Sequence, residues 1–407
     1  MYLISKEDRS LKGEINISGS KSESNRLLIM RAYTSFFKII NLSDSDDTNT
    51  LISALESNDE KINIGHAGTA MRFLTSYFSS TQNSSKILTG SERMKERPIS
   101  ILVDALNSIG ADIEFIDKVG YPPIRLKGKL ISNYTVSLPA NVSSQYLSSL
   151  MMLGISLSEG LIINLSTKIT SLPYIKMTKE LIERVGGKIF IQPDKIIVEP
   201  ILENKISDQT VESDWSSASY FYSLVALSDF SEITISSFFK KSIQGDSRIV
   251  ELYKQFGVET KFRDNKIYLK KNKIVLPDSI SINLENNPDL AQTIVVTCLG
   301  LGVDCDLQGL HTLKIKETDR LLALKKEIEK FDVDRVDVSD QSITLKNNSD
   351  LKTGVSIDTY NDHRMALSFV PLSLINPIII NNPEVVSKSY SNFWNDLKLL
   401  GFNISEK

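Results

Sequence analysis

Cysteine is scarce: the 407 residues hold two, Cys298 and Cys305. No Cys-x-x-Cys or His-x₃₋₅-His spacing accompanies them, which excludes the usual structural zinc arrangements. Both lie in an apolar stretch and are expected to be small buried residues. Excess charge of either sign is also lacking. The 47 Lys and Arg against 50 Asp and Glu leave a formal −3. That balance argues against a chain-wide nucleic-acid surface, so any anion site must be local. No apolar run approaches the roughly 18 residues of a membrane helix. Met1–Asp8 lacks the apolar core of a signal peptide. Few cysteines and no signal lead to the expectation of a cytoplasmic protein without membrane partners.

Three familiar loops are missing too. Gly13–Ser22 fails as a phosphate loop, because five residues separate Gly13 from Gly19 and Ser20 intrudes before Lys21. No Gly-x-Gly-x-x-Gly opens a βαβ unit, which disfavours a dinucleotide cofactor. No Gly-x-Ser-x-Gly marks a hydrolase nucleophile. His66 and His311 have no partners at metal spacing, so no metal is expected.

What the chain does have is repetition. Amphipathic helices running through a glycine turn into a strand recur at Ile101–Ile113, Glu180–Ile189, Ile249–Thr260 and Asn395–Ile404, with glycines at Gly110, Gly186, Gly257 and Gly401 and weaker copies at Arg320–Val333 and Leu51–Ile64. Almost wholly apolar helices begin near Ser22, Thr69, Gln145, Ser217, Leu290 and Arg364. A helix apolar all round is a buried helix. The intervals between those starts are 47, 76, 72, 73 and 74 residues. Short alternating runs such as Ile196–Val198, Glu232–Ile235 and Lys266–Leu269 supply strands. The pattern predicts an α/β protein of six copies of one unit, the first shortened between Asp47 and Gly65 by a strand–helix segment. Six units divide into two domains of three, with a boundary near Val211–Asp214, after the polar stretch Glu203–Gln209.

The starts of the buried helices are rich in small and hydroxyl residues. Uncovered N–H groups and the positive helix end favour anions there. Lys21, Arg26, Arg72 and Arg364 add full charges at these starts. Arg97, Lys316, Arg320 and Lys388 lie in short polar stretches. Arginine suits bidentate capture of carboxylate and phosphate. Taken singly, Lys316–Arg320 reads as an ordinary helix start and Arg93–Pro98 as a solvated loop. His363 alone reads as a structural imidazole. Converging on one cleft, the cations would hold phosphate and carboxylate groups.

Several strings resemble the EPSP synthase (3-phosphoshikimate 1-carboxyvinyltransferase) family of enolpyruvyl transferases. They are Gly19-Ser20-Lys21-Ser22 with Asn25-Arg26, Ala67-Gly68-Thr69-Ala70-Met71-Arg72, Leu88-Thr89-Gly90 with Arg93-Met94-Lys95-Glu96-Arg97-Pro98, Ser143-Ser144-Gln145, Lys316-Glu317-Thr318-Asp319-Arg320, and Tyr360-Asn361-Asp362-His363-Arg364-Met365. They occur in order over nearly the whole chain. The resemblance implies a two-domain enolpyruvyl-transferase fold of six βαβαββ repeats, three per domain, with the active site in the interdomain cleft. Residues 1–17 and 213–407 would form one domain, carrying the acid/base residues, and 18–212 the phosphoshikimate-binding domain.

By the same resemblance, Lys21, Ser22, Arg26, Ser143, Ser144, Gln145, Ser171, Tyr174, Asp289, Thr312 and Lys316 would hold shikimate 3-phosphate. Lys21, Gly68, Arg97, Gln145, Arg320, Arg364 and Lys388 would hold phosphoenolpyruvate. Asp289 would take the hydroxyl proton, and Glu317 and Lys21 compete as donor to the methylene carbon. The resemblance implies no metal or organic cofactor, no nucleic acid and a monomer. Departures are His66 where the family usually has Asn, and Thr312-Leu313 where it usually has Asn-Trp. The alternatives are the sister transferase acting on UDP-N-acetylglucosamine, which usually carries a cysteine in the loop at Ser91–Pro98, and a non-catalytic anion-binding paralogue.

Overall fold

The computed structural model describes residues 1–34, 37–141, 143–202, 206–348 and 351–407. Part of the polar stretch at the expected boundary, residues 203–205, therefore lies outside the described residues. The chain forms two compact units. One comprises Met1–Ser18 with Glu212–Lys407, the other Gly19–Val211.

Each unit is built around three interior helices. Gly19–Val211 contains α1 (Lys21–Tyr33), α2 (Gly68–Ser80) and α3 (Ser144–Gly154). The other unit contains α4 (Trp215–Leu227), α5 (Ala291–Leu301) and α6 (His363–Phe369). These are the apolar segments read from the sequence, and their burial follows from it. Every residue of α4 except Ser216 is buried. The hydroxyls inside these helices pair with one another, which removes the cost of burying them. Ser219 bonds Thr293 at 3.1 Å and Thr297 donates to Ser223 at 2.7 Å, joining α4 to α5. Ser149 donates to Ser76 at 2.7 Å, joining α3 to α2. The helix starts are capped by short polar side chains. Asp214 accepts the Ser217 N–H at 3.1 Å, and Asp362 accepts the Arg364 N–H at 2.9 Å.

Sheets cover the helices. Among the described residues, five have four strands and one has two. A full sheet shows the repeat clearly. Leu161–Leu165 runs parallel to Thr135–Leu138 and antiparallel to Lys195–Val198, which pairs in turn with Ile189–Ile191. A parallel pair needs a helical crossover and an antiparallel pair only a tight turn, so the order is βαβαββ. The first strands of the chain complete two sheets. Tyr2–Ser5 lies antiparallel between Ile378–Ile380 and Asn403–Glu406, and Ser10–Ile15 runs parallel to Phe230–Ser236.

Two local expectations are corrected. The shortened repeat keeps its helix, Asp46–Glu56, and among the described residues lacks the closing antiparallel strands instead. Its sheet is only Ile39–Ile40 beside Gln209–Thr210. The chain leaves that helix and enters Lys61–Asn63, the first strand of the next sheet. Second, Ile249–Gly257 is not one amphipathic α-helix. It is a turn of α-helix, Ile249–Leu252, between 3₁₀ segments Gly245–Arg248 and Tyr253–Phe256. Buried Tyr253 and Phe256 stand at i and i+3, the spacing that a 3₁₀ turn aligns. Cys298 and Cys305 are buried free thiols. No described helix is long and apolar enough to cross a membrane.

Gly19 opens the second unit where a side chain has no room. A Cβ there would lie 1.8 Å from the Asn41 carbonyl oxygen and 2.9 Å from Val211 Cγ1. Gly19→Ala is expected to cost about 1–3 kcal/mol, read as a lower calorimetric midpoint; an unchanged midpoint would contradict the close approach.

Candidate active site

The residues singled out above fall into one constellation in each unit. In Gly19–Val211, α1 starts behind the Ser20 cap, so Lys21 stands at its first turn. Lys21 donates Nζ to Asp47 Oδ2 at 3.1 Å. Arg26, one turn further, is buried. It donates Nε to Thr178 Oγ1 at 2.7 Å, Nη1 to the Ser22 carbonyl at 2.9 Å and Nη2 to Ser148 Oγ at 3.1 Å. Its guanidinium lies 5.8 Å from the centre of the Tyr174 ring. Burial pulls its proton affinity down to about 10. Ser171, which precedes the helix carrying Tyr174 and Thr178, sits in the left-handed region at φ 53°.

The start of α2 meets the loop at Arg93–Pro98. A Cβ on Gly68 would lie 2.5 Å from Arg97 Nη1, so a side chain there would push that guanidinium from its place. Arg72 fastens the loop by donating to the Gly68 carbonyl at 3.2 Å and the Pro98 carbonyl at 3.1 Å. Tyr146 adds a bond to the Pro98 carbonyl at 2.6 Å. Ser143 caps α3 by accepting the Gln145 N–H at 3.3 Å, and Ser144 opens that helix. The Gln145 amide donates to Thr69 Oγ1 at 3.2 Å. His66 Nδ1 lies 3.0 Å from Ser91 Oγ beside this loop.

The other unit gathers six charged residues around one guanidinium. Arg320 is 2% exposed. It donates Nε to Asp362 Oδ2 at 2.7 Å, Nη1 to Asp289 Oδ1 at 2.9 Å and Nη2 to Glu317 Oε2 at 2.9 Å. Burial lowers its hold on the proton, but the three carboxylates outweigh that and raise it. Lys388 Nζ reaches Glu317 Oε1 at 3.2 Å. Arg364 Nη2 reaches Asp289 Oδ2 at 3.2 Å, and Lys316 Nζ stands 3.8 Å from Asp289 Oδ1. Four cations thus share Asp289, Glu317 and Asp362, three segments remote in sequence. His363 is buried, with Nδ1 3.7 Å from Asp362. The Thr312 hydroxyl is buried and makes no hydrogen bond among the described residues, so Thr312 joins neither cluster by a bond.

Sequence reasoning missed several members. Asp47 holds Lys21, and Thr178 with Ser148 hold Arg26. Asp362 lay inside a quoted string but received no role; its place just before α6, as a short acidic cap, was the available signal. Ser216, at the start of α4 among the small and hydroxyl residues noted there, received no role, and Asp246, which it bonds, carried no periodic or spacing signal. Chemically, each constellation is a set of fixed cations, and the Arg320 cluster adds carboxylates able to exchange protons.

The sequence model of EPSP synthase (3-phosphoshikimate 1-carboxyvinyltransferase) matches residues 51–397. The 3-phosphoshikimate 1-carboxyvinyltransferase of Bacteroides fragilis (strain YCH46) is 43% identical over 406 residues, covering 99% of this chain and 98% of that one. The enzyme of the same name from Aliivibrio fischeri (strain ATCC 700601 / ES114) is 33% identical over 420 residues, covering 96% and 97%. Among solved structures, EPSP synthase from Acinetobacter baumannii superposes with a TM-score of 0.75 at 18% identity, covering 100% and 99%. The enolpyruvyl transferase NikO from Streptomyces tendae gives 0.74 at 14%, covering 100% and 98%. Those two likenesses are of fold: the two-domain enolpyruvyl-transferase architecture.

Asp362→Ala removes the bonds from Arg320 Nε at 2.7 Å and Nη2 at 3.3 Å, and the cap of α6. It is expected to destabilise the unit by about 3–5 kcal/mol, the range for stripping a partner from a buried charge. Urea unfolding measures it, and a transition that does not move would remove Asp362 from the centre of the cluster.

Proposed function

The chain belongs to the EPSP synthase family, and from that membership we propose that it transfers the enolpyruvyl group of phosphoenolpyruvate to the 5-hydroxyl of shikimate 3-phosphate. Inorganic phosphate is released. The observation that carries the reading is the Arg320 cluster, in which two carboxylates of the matched strings, Asp289 and Glu317, are each held against two or more cations.

The two substrates bring two phosphates and two carboxylates, whose repulsion must be offset by fixed cations. In this reading Lys21, Ser22, Arg26, Ser143, Ser144, Gln145, Ser171 and Tyr174 hold shikimate 3-phosphate, with Asp289, Thr312 and Lys316. Lys21, Gly68, Arg97, Gln145, Arg320, Arg364 and Lys388 hold phosphoenolpyruvate. Asp289 takes the proton of the attacking hydroxyl. Glu317 or Lys21 gives a proton to the methylene carbon as the new C–O bond forms. The tetrahedral adduct then loses a proton from the methyl group and its C–O bond to phosphate, which restores the double bond. Atoms and charges balance without a redox partner, so the step calls for no cofactor. We place the protein in the cytoplasm as a monomer, between reactions that make a phosphorylated cyclic alcohol and reactions that consume its enol ether in aromatic amino-acid synthesis.

The sister reaction on UDP-N-acetylglucosamine is less well supported. Neither cysteine lies near the loop at Ser91–Pro98. A non-catalytic paralogue would be expected to lose Asp289, Glu317 or one of the arginines, and all are present.

A phosphate-release assay tests the reading. Shikimate 3-phosphate and UDP-N-acetylglucosamine are offered separately with phosphoenolpyruvate, and release is expected with the first alone. Asp289→Asn and Glu317→Gln are expected to bind shikimate 3-phosphate but lose about 10²–10⁴-fold in kcat. Near-normal turnover in either would remove that residue from the chemistry.

A further inference from the structure

The segment Gln244-Gly245-Asp246-Ser247-Arg248 has no part in the roles above, yet it is fastened at both ends to starts of interior helices. At α4, the Gln244 side chain accepts the Trp215 N–H at 2.9 Å and donates to the Ser213 carbonyl at 2.9 Å. Ahead of α5, Arg248 donates Nη1 to the Asn283 carbonyl at 2.9 Å and to Asn287 Oδ1 at 3.4 Å. Between these anchors Asp246 is buried, and its Oδ2 accepts the Ser216 hydroxyl at 2.5 Å. Ser216 Oγ accepts in turn from Arg364 Nη2 at 3.2 Å. The same nitrogen lies 3.2 Å from Asp289 Oδ2. Four side chains therefore form one line, from Asp246 through Ser216 and Arg364 to Asp289.

A serine hydroxyl has a single proton. When Asp246 takes it, the lone pairs of Ser216 face Arg364, and Nη2 is steadied between Ser216 and Asp289. If Ser216 turned its proton the other way, hydrogen would face hydrogen and the contact would be lost. From this geometry we infer that Asp246 is a positioning residue, which through Ser216 sets the direction in which Arg364 meets the carboxylate of phosphoenolpyruvate. The inference rests on the function proposed above and adds a residue to it.

An uncharged Asn would fill the same space, so the carboxylate has a consequence of its own. Burial, helped by Asp289 and by Asp214 at the cap of α4 and opposed by Arg364 on α6 and the Ser216 hydroxyl, pushes the Asp246 carboxyl up to about 6. Above that pH the anion accepts the Ser216 proton. Below it Asp246 is neutral, and its carbonyl oxygen accepts the Ser216 proton more weakly than the anion does. The line is complete at high pH and weakens as pH falls through about 6.

The test uses the full chain in steady-state phosphate release, with phosphoenolpyruvate varied at saturating shikimate 3-phosphate and then the reverse. Asp246→Ala is expected to raise the KM for phosphoenolpyruvate roughly tenfold, the scale of a lost charge-assisted hydrogen bond. The KM for shikimate 3-phosphate and kcat should move much less. Ser216→Ala should match it, and the double variant should be no worse than either single one, because both cut one line. Asp246→Asn accepts the Ser216 proton through a neutral oxygen, as the protonated carboxyl does, and should recover part of the affinity. It should also lose the part of the acid limb in kcat/KM that Asp246 contributes. Substrate phosphates titrate identically with both proteins, so the difference between the two profiles isolates Asp246. An unchanged KM for phosphoenolpyruvate in Asp246→Ala, an additive double variant, or equal rises in both KM values would overturn the inference. Should Asp246→Ala not fold, Ser216→Ala alone decides, since its hydroxyl is the link. A wild-type chain that releases no phosphate from this substrate pair would sink the proposed function as well. An active wild type with indifferent variants would sink this inference alone.

Discussion

One guanidinium organises the carboxylate-bearing constellation. Arg320 spends its Nε, Nη1 and Nη2 donors on Asp362, Asp289 and Glu317. Those acceptors come from the cap of α6, the turn before α5 and the segment leading into the helix of Arg320 itself. A planar fork of donors tolerates little error in direction, so it fixes three backbones relative to one another. Buried ion pairs seldom add net stability once desolvation is counted. What this cluster supplies is position, and Lys316, Arg364 and Lys388 are then held by the carboxylates that Arg320 has placed.

The two constellations solve the problem of holding cations in different ways. Around Arg320 the positive groups are matched by carboxylates, so an incoming anion must share or displace an internal one. Around Arg26 the partners are neutral oxygens of Thr178, Ser148 and Ser22. Thr178 passes its own proton to the Tyr174 carbonyl at 2.8 Å, which leaves its lone pairs for Arg26. Neutral partners orient a guanidinium without cancelling its charge, which suits a group meant for a phosphate. Carboxylate partners keep proton acceptors beside the cations, which suits a group meant for proton transfer.

The close approach of Arg97 to Gly68 shows how the repeat serves the site. Gly68 begins a buried helix whose apolar body packs in the interior, and its missing side chain admits the guanidinium. The same division of labour runs through the other interior helices. Their bodies satisfy the core, and their first turns carry small, polar or charged groups. The first repeat, with only a two-stranded sheet among the described residues, keeps this arrangement: α1 still starts behind its Ser20 cap.

Much of this was legible in the amino-acid order alone. Apolar periodicity marks a helix as buried whatever surrounds it, so the six interior helices and their spacing could be read directly. The cations at their starts could be read for the same reason, since caps and first turns obey local rules. Pairing between segments obeys none. That Arg320 would serve three carboxylates, that Asp47 would hold Lys21 and that Asp246 would reach Arg364 through a serine depended on where remote segments came to lie. The same is true of the two-stranded sheet of the shortened repeat and of the 3₁₀ turns at Gly245–Phe256. Local free energies set the elements, but distances between side chains far apart in the chain exist only once the elements have packed, and tertiary structure alone decided them.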